Sequence, residues 1–247
     1  MSAGWLDGRR VLVPRGGELG ERLGALLREH GADAVIAPAI EFGPPTSPAE
    51  LAAALERLAA GDYDWLAVTS ATTADVLAGA RVRVPAHTRI AAVGAATAWA
   101  LRELGYTVAF VPSGEHSAAG MVAEWPGETG TVLLPQSAIA GPTLADGLAE
   151  RGLTVETVEA YTTVALPLDP AVVDAAASGE YAAILLTSGS VASSLAEQLT
   201  PLHPDTVVAV LGTPTERSAR DAGLPVHVRA ASNSAESLIE ALVNWRP

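Results

Sequence analysis

The sequence of 247 residues contains no cysteine. Disulfide cross-links, thiolate nucleophiles, iron–sulfur ligation and cysteine-rich zinc sites are therefore excluded, and a chain without cysteine suits a reducing cytosol. Lysine is also absent, because all 15 positions counted as lysine or arginine are arginine. A lysine that grips phosphate in a P-loop, forms a Schiff base or acts as a general base is excluded with it.

Positive charge is scarce throughout the chain. Its 28 acidic residues give a formal net charge of −13 and a pI near 4.7, whereas a nucleic-acid binder needs a basic surface. The N-terminal sequence lacks the order of a signal peptide, and no apolar run is long enough to span a bilayer. We therefore expect a cytoplasmic protein that binds neither nucleic acid nor a membrane. At 49% hydrophobic residues, the chain can bury the cores of one large or two small domains.

An internal duplication organises the chain. The segment Tyr63–Leu77 recurs as Tyr181–Leu195, and a second match aligns Arg10 with Thr131. The first match aligns Ser70 with Ser188, and the same offset aligns two further pairs, Gly94 with Gly212 and Thr97 with Thr215. The sequence therefore predicts two copies of one structural unit.

Short apolar runs alternate with segments of helical periodicity, which is typical of parallel α/β architecture. The predicted buried strands are Val11–Val13, Trp65–Val68, Ile90–Val93, Val108–Val111, Val132–Leu134, Ile184–Leu186 and Val207–Leu211. Glycines at positions where helices should end support this interpretation; they are Gly31, Gly61, Gly105, Gly152 and Gly223. A single large Rossmann sheet is the less favoured alternative, because the duplication indicates that the chain is divided into two similar units.

Two proline-rich segments, Ala37–Pro48 and Ala160–Pro170, interrupt this alternation. We predict that both are extended crossings between two lobes. The chain then either leaves the first lobe early and returns to complete it, or forms two sequential halves.

Hydroxylated turns follow two of the predicted strands. They contain Thr69 and Ser70 in the first copy, and Thr187, Ser188 and Ser190 in the second. In an open parallel sheet, ligands bind beyond the carboxyl ends of the strands. Amide groups at helix N-termini there can bind carboxylate or phosphate. Ordinary N-capping explains the same residues, so both interpretations stay open.

A second matched pair of turns contains glycine and threonine: Gly94 with Thr97, and Gly212 with Thr215. Glycine permits close approach of a ligand to the backbone. None of the turns has the GxGxxG spacing of a dinucleotide site, which argues against NAD or FAD. Arg15 follows the first strand and could bind a ligand carboxylate, or pair with a nearby acidic residue on the surface.

Tyr161 lies in the second crossing segment, where its phenol could face a ligand or simply pack. The histidines show no spacing typical of metal ligands; they are His30, His87, His116, His203 and His227. No GxSxG string occurs, so a hydrolase elbow is not indicated. We therefore expect no metal site and no hydrolytic triad.

Six motifs, taken together in order and spacing, resemble the uroporphyrinogen-III synthase family along nearly the whole chain. They are VLVPRGG, DWLAVTSATTADVL, IAAVGAATAWAL, VETVEAYTTVA, AILLTSGSVASSL and VVAVLGTPTERSARDAG. The resemblance implies an α/β fold of two flavodoxin-like parallel-sheet domains with a cleft between them. It places residues 1–38 and 166–247 in a discontinuous first domain and residues 43–160 in the second, with residues 39–42 and 161–165 as the strands of a two-stranded linker.

The resemblance also implies an activity. The family cyclises hydroxymethylbilane to uroporphyrinogen III, losing water and inverting the last pyrrole ring through a spiro intermediate. It is a lyase reaction with no metal or organic cofactor, and a monomer is implied. The family's proposed assisting tyrosine matches Tyr161, and its cleft-lining positions match Thr69, Ser70, Thr97, Ser188, Ser190 and Thr215.

Two other functions remain possible on the same fold. One is a non-catalytic protein of two lobes that binds a small anion, and the other is a regulatory protein descended from the synthase. Some regulatory relatives carry a DNA-binding extension, which we do not expect here because the chain ends at Trp245-Arg-Pro.

Overall fold

The computed structural model describes residues 4–246. The chain divides into two compact units. Unit 1 combines Met1–Glu41 with Val164–Pro247, and unit 2 comprises Phe42–Thr163.

Unit 1 contains a five-stranded sheet in the order β11-β10-β9-β1-β2, and its strand pairs are parallel. The strands are β1 (Arg10–Val13), β2 (Asp33–Ile36), β9 (Tyr181–Leu186), β10 (Val207–Val210) and β11 (Val228–Arg229). The helices are α1 (Gly17–Glu29), α7 (Pro170–Ala177), α8 (Gly189–Leu199), α9 (Thr213–Asp221) and α10 (Ala235–Asn244). Val11 and Val13 pack into one core cluster with α1 and α10, whereas Leu12 packs into another with α7 and α8. Both faces of the sheet are therefore covered, which explains its continuously apolar strands.

Unit 2 contains most of a six-stranded sheet in the order β3-β8-β7-β4-β5-β6. The strands are β3 (Ile40–Gly43), β4 (Trp65–Val68), β5 (Arg89–Ala92), β6 (Val108–Phe110), β7 (Thr131–Ser137) and β8 (Thr154–Ala165). The chain passes between the units within β3 and within β8. The helices are α2 (Pro48–Ala60), α3 (Ala71–Gly79), α4 (Ala95–Glu103), α5 (Ala118–Glu124) and α6 (Thr143–Glu150). Leu66 and Val68 contribute to one core cluster, and Trp65 and Ala67 to the other.

The duplication is visible in both strand order and side-chain contacts. The series β6-β5-β4-β7-β8 of unit 2 corresponds to β11-β10-β9-β1-β2 of unit 1. In unit 2 the hydroxyl of Thr88 donates to the carbonyl of Tyr63 at 2.7 Å, and in unit 1 the hydroxyl of Thr206 donates to the carbonyl of Tyr181 at 3.1 Å. Both threonines are buried. Unit 1 therefore pairs β1, from the first copy, with β9, from the second.

The predicted α/β class with parallel sheets is confirmed, and each predicted strand overlaps an observed one. All five glycines predicted to end helices have positive φ angles. Two strands, β2 and β11, are not predicted from the sequence, because both are short and carry an exposed charged residue. Each segment predicted as an extended crossing contains a strand: β3 lies in the first, and the second half of the 12-residue strand β8 lies in the second. Within the described residues, no helix combines the length and apolarity needed to cross a membrane.

Candidate functional site

The pairing of β7 with β8 changes register next to Tyr161. Along most of their length, β7 and β8 pair in register, with Gln136 opposite Glu159. The register then shifts, so that Ser137 lies opposite Tyr161 and Ala160 is the extra residue. Ala160 and Tyr161 are both buried. Bulges of this kind are common next to functional sites.

The phenol of Tyr161 lies beside the turn that follows β4. Its oxygen is 3.1 Å from Oγ of Ser70, and its ring meets the ring of Phe42 edge-on at a centroid distance of 5.2 Å. Tyr161 is 8% exposed, so its ring is fixed by packing. In the sheet, β7 lies between β8 and β4. The fold therefore brings together Ser70 and Tyr161, two predicted site residues that are distant in sequence.

Ser70 is also the N-cap of α3. Its Oγ accepts a hydrogen bond from the amide of Thr73 at 3.0 Å and lies 2.9 Å from the hydroxyl of Thr73. Capping of this kind satisfies one of the free amides at the start of a helix. Thr69, the preceding residue, is half-buried directly after β4. The capping interpretation of this turn is therefore correct for Ser70.

The second turn of unit 2 is different, because α4 begins at Gly94 with no side-chain cap from the described part of the chain. Its first-turn amides therefore have no capping oxygen, which suits them to an external anion. Thr97 is buried at 5% exposure, so its side chain packs inside the unit. His116 packs against Gly94, where a Cβ would lie 3.0 Å from the Cβ of the histidine. The imidazole of His116 therefore lies next to the N-terminus of α4.

The loop that carries His116 is tied down by Glu124. One carboxylate oxygen accepts hydrogen bonds from the amide and the hydroxyl of Ser113, each at 2.7 Å, and the other accepts from the amide of Gly114 at 2.9 Å. These bonds, led by the one from the Ser113 amide, lower the pKa of Glu124, and the charge of His116 adds a smaller effect. The carboxylate therefore stays ionised and holds the loop.

The equivalent hydroxylated turn of unit 1 follows β9. Ser188 caps α8 by accepting from the amide of Val191 at 3.3 Å, and its Oγ lies 3.0 Å from Oγ of Ser190. The hydroxyl oxygen of Thr187 is buried and has no hydrogen-bond partner within residues 4–246. A buried polar atom in this state costs free energy unless a ligand or water satisfies it.

Three other predicted residues lie at the same edge of the unit 1 sheet, because β1, β9 and β10 are parallel neighbours. Gly212 begins α9 in an extended conformation like that of Gly94, with no side-chain cap from the described residues. Thr215 is buried at 6% exposure. Arg15 is half-buried in the turn after β1. Gly20 packs so closely under this turn that a Cβ there would lie 1.9 Å from the carbonyl oxygen of Arg15.

At the carboxyl edge of its own sheet, each unit thus has backbone amides, hydroxyls and one larger polar side chain. In unit 2 this side chain is the phenol of Tyr161, and in unit 1 it is the guanidinium of Arg15. Such an edge can bind carboxylates and hydroxyls and can supply one phenolic proton. Among the described residues, no three or more histidine, aspartate or glutamate side chains lie close enough together to hold a metal ion.

Comparison with known proteins identifies the family. The family model described as uroporphyrinogen-III synthase HemD matches residues 21–240. The chain belongs to the uroporphyrinogen-III synthase family. Synthases of this family are enzymes.

Two curated relatives agree with this assignment. A porphyrin biosynthesis protein HemD from Ruminiclostridium josui is 30% identical over 249 residues, which cover 96% of this chain and 49% of that protein. A chloroplastic uroporphyrinogen-III synthase from Oryza sativa subsp. japonica is 32% identical over 230 residues, covering 87% of this chain and 73% of that protein. The chain therefore spans about half the length of the Ruminiclostridium relative.

Solved structures of uroporphyrinogen-III synthases share the fold. A mutant enzyme from Thermus thermophilus superposes with a TM-score of 0.68 at 22% identity, covering 95% of this chain and 97% of that one. The enzyme from Helicobacter pylori superposes with a TM-score of 0.62 at 15% identity, covering 96% and 100%. At these identities the superpositions establish the fold alone.

The geometry adds residues of interest that the sequence did not single out. Phe42, Thr73 and His116 all contact predicted site residues. From the sequence, His116 is weighed only as a metal ligand. Thr73 lies three residues after Ser70, so its contact with Ser70 is local to the start of α3. The contacts of Phe42 and His116 leave no local signal, because they depend on the packing of separate strands and loops.

Proposed function

We propose that this chain is a lyase that cyclises hydroxymethylbilane to uroporphyrinogen III. Loss of the hydroxyl group as water leaves an azafulvene-like cation on the linear tetrapyrrole. The substituted carbon of the last ring attacks this cation and forms a spiro intermediate, whose rearrangement inverts that ring. The cation can also close without an enzyme, so catalysis consists chiefly of holding the chain in the geometry that leads to inversion.

The observation that carries the proposal is the buried phenol of Tyr161 beside the Ser70 turn of unit 2. The phenol donates a proton to the leaving hydroxyl, which turns a poor leaving group into water. Ser70 and Phe42 both contact this side chain. Family membership supports the same assignment, because the family model matches residues 21–240, a range that includes Tyr161.

The substrate is a polycarboxylate, and the proposed binding groups suit it. Uncapped amides at the starts of α4 and α9, the Thr187 hydroxyl and Arg15 are donors for carboxylates. A net charge of −13 opposes this only weakly, because surface charges are screened over about 8 Å at physiological ionic strength whereas these donors act at contact. The charge therefore slows association more than it weakens binding. The proposal includes a cytoplasmic location, supported by the absence of cysteine, and a monomer, which rests on the family resemblance alone.

Incubation with freshly prepared hydroxymethylbilane, followed by separation of the isomers, tests the proposal. Spontaneous closure yields the uninverted I isomer, so an excess of the III isomer requires the enzyme. We expect Tyr161→Phe to lower kcat about 10²-fold, at the lower end of the effect of general acid catalysis, because the hydroxyl can also leave unaided.

Tyr106→Phe is the matched control. Tyr106 is also a partly buried tyrosine of unit 2, and its hydroxyl donates to the carbonyl of Val82. We expect this variant to keep wild-type turnover. A wild-type rate for Tyr161→Phe would reject the role of Tyr161. Binding of the substrate without an excess of the III isomer would instead indicate the non-catalytic anion-binding function.

A further inference from the structure

The hydroxyl of Ser70 is fully occupied within its own unit. Its Oγ has three partners: the amide of Thr73 at 3.0 Å, the hydroxyl of Thr73 at 2.9 Å and the phenol of Tyr161 at 3.1 Å. A serine hydroxyl has one proton to donate and two lone pairs to accept with. Three partners use all of this capacity, so none is left for a substrate carboxylate.

The burial of Thr73 fixes the direction of these hydrogen bonds. Thr73 is 0% exposed, and within the described part of the chain its hydroxyl has Ser70 Oγ as its partner. A buried hydroxyl that fails to donate costs free energy, so the Thr73 hydroxyl donates to Ser70. The Thr73 amide donates to the same oxygen. Both lone pairs of Ser70 are then filled, and its own proton must go to the phenolic oxygen of Tyr161.

We propose that Ser70 is a positioning residue that donates its proton to Tyr161 and so leaves the phenolic proton free to meet the leaving hydroxyl of the substrate. This inference rests on the proposed function and replaces a role for Ser70 in binding carboxylates. Thr73 acts indirectly, through Ser70, because its own donated hydrogen bond makes Ser70 donate to Tyr161.

The proton balance of the reaction fits this arrangement. As the C–O bond breaks, the phenolic proton of Tyr161 leaves with the hydroxyl as water, and the phenolate accepts a charge-assisted hydrogen bond from Ser70. The ring system later loses one proton as it regains aromaticity, and that proton restores the phenol. One water is lost overall.

The first test needs no substrate. The ¹³C resonance of the phenol carbon Cζ responds to hydrogen bonding at the phenolic oxygen, and the Tyr161→Phe spectrum assigns it among the four tyrosines of the chain. We expect this resonance to move by the same amount in Ser70→Ala and Ser70→Gly. Ser234→Ala is the matched control, because Ser234 caps α10 by accepting from the amide three residues on, as Ser70 does in α3. It should leave the resonance in place.

The second test measures kinetics. We expect Ser70→Ala and Ser70→Gly to lower kcat equally, about tenfold, the effect of one hydrogen bond, with KM changed less than about twofold. Glycine is a good N-cap and alanine a poor one, so equal losses separate the phenol contact from capping. In a Tyr161→Phe background, Ser70→Ala should have no further effect. Thr73→Val should lower kcat, Thr73→Ser should restore it, and Ser234→Ala should keep the wild-type kcat.

Several results would overturn the inference. One is a Tyr161 Cζ resonance that does not move in the Ser70 variants, and another is a rise in their KM instead of a fall in kcat. The others are a loss of kcat in Ser70→Ala that Ser70→Gly lacks, and losses of kcat that multiply when Ser70→Ala is combined with Tyr161→Phe. Failure of the proposed function is recognised separately, because the wild-type protein would then form no excess of the III isomer while the Cζ result could still stand.

Discussion

The amide of Gln198 fastens the segment that follows β8 onto unit 1. Its nitrogen donates to the carbonyl of Leu166 at 3.0 Å, and its oxygen accepts from the amide of Leu168 at 2.7 Å. The same nitrogen also lies within hydrogen-bonding distance of the Ser194 hydroxyl, which itself donates to the carbonyl of Ala39 at 2.7 Å. One side chain of α8 therefore holds the segment that returns to this unit.

We expect Gln198→Ala to loosen this segment locally. The variant removes two hydrogen bonds to it, each with a net contribution of about 1 kcal/mol, for a total of about 2 kcal/mol. Local opening governs exchange of a protected amide, so this loss corresponds to exchange about 30-fold faster at the Leu168 amide. Hydrogen exchange followed by NMR or by mass spectrometry of the fragment measures this rate.

Glu197→Ala is the matched control, because Glu197 is the exposed preceding residue of the same helix. It should change the exchange at Leu168 less than about threefold, as surface substitutions stay within about 0.5 kcal/mol. Equal exchange in the wild type and in Gln198→Ala would refute the reasoning. So would equally fast exchange in both variants, since general fraying of α8 would then explain the effect.

Two further predictions concern the loops near the proposed site. Because the pKa of Glu124 is lowered, we expect its carboxylate to protect the Ser113 amide from hydrogen exchange fully above the ordinary glutamate range, and this protection to be lost as the pH falls through the lowered pKa. Glu124→Gln should show weak protection of this amide at every pH. Protection in the wild type that does not change with pH would contradict the prediction. Gly20→Ala must displace the turn of Arg15, and we expect KM to rise about tenfold because a charged hydrogen bond to the substrate is lost. Gly79→Ala is the control, because the space around its new Cβ is open, and it should leave KM unchanged. Equal KM values in both variants would reject a binding role for Arg15.

Much of the fold was predictable because its strands are buried on both faces. Trp65–Val68 and Tyr181–Leu186 are completely buried, so they read as continuous apolar runs, and the turns after them repeat at a constant offset. The strand β2 was missed, because its four residues include an exposed aspartate and two half-buried positions. Exposed edges of sheets weaken the apolar pattern from which strands are predicted.

The sequence by itself determined the duplication, the α/β class and the kinds of group at the strand ends. It left open whether Ser70 caps a helix or binds a ligand, and whether Tyr161 packs or acts. Only the tertiary structure decided that Ser70 contacts Tyr161, since that contact needs the order of β8, β7 and β4 in the sheet. Helix caps and apolar runs are local and leave a pattern in the chain. Hydrogen bonds between side chains far apart in sequence leave none, because they depend on how the strands pair.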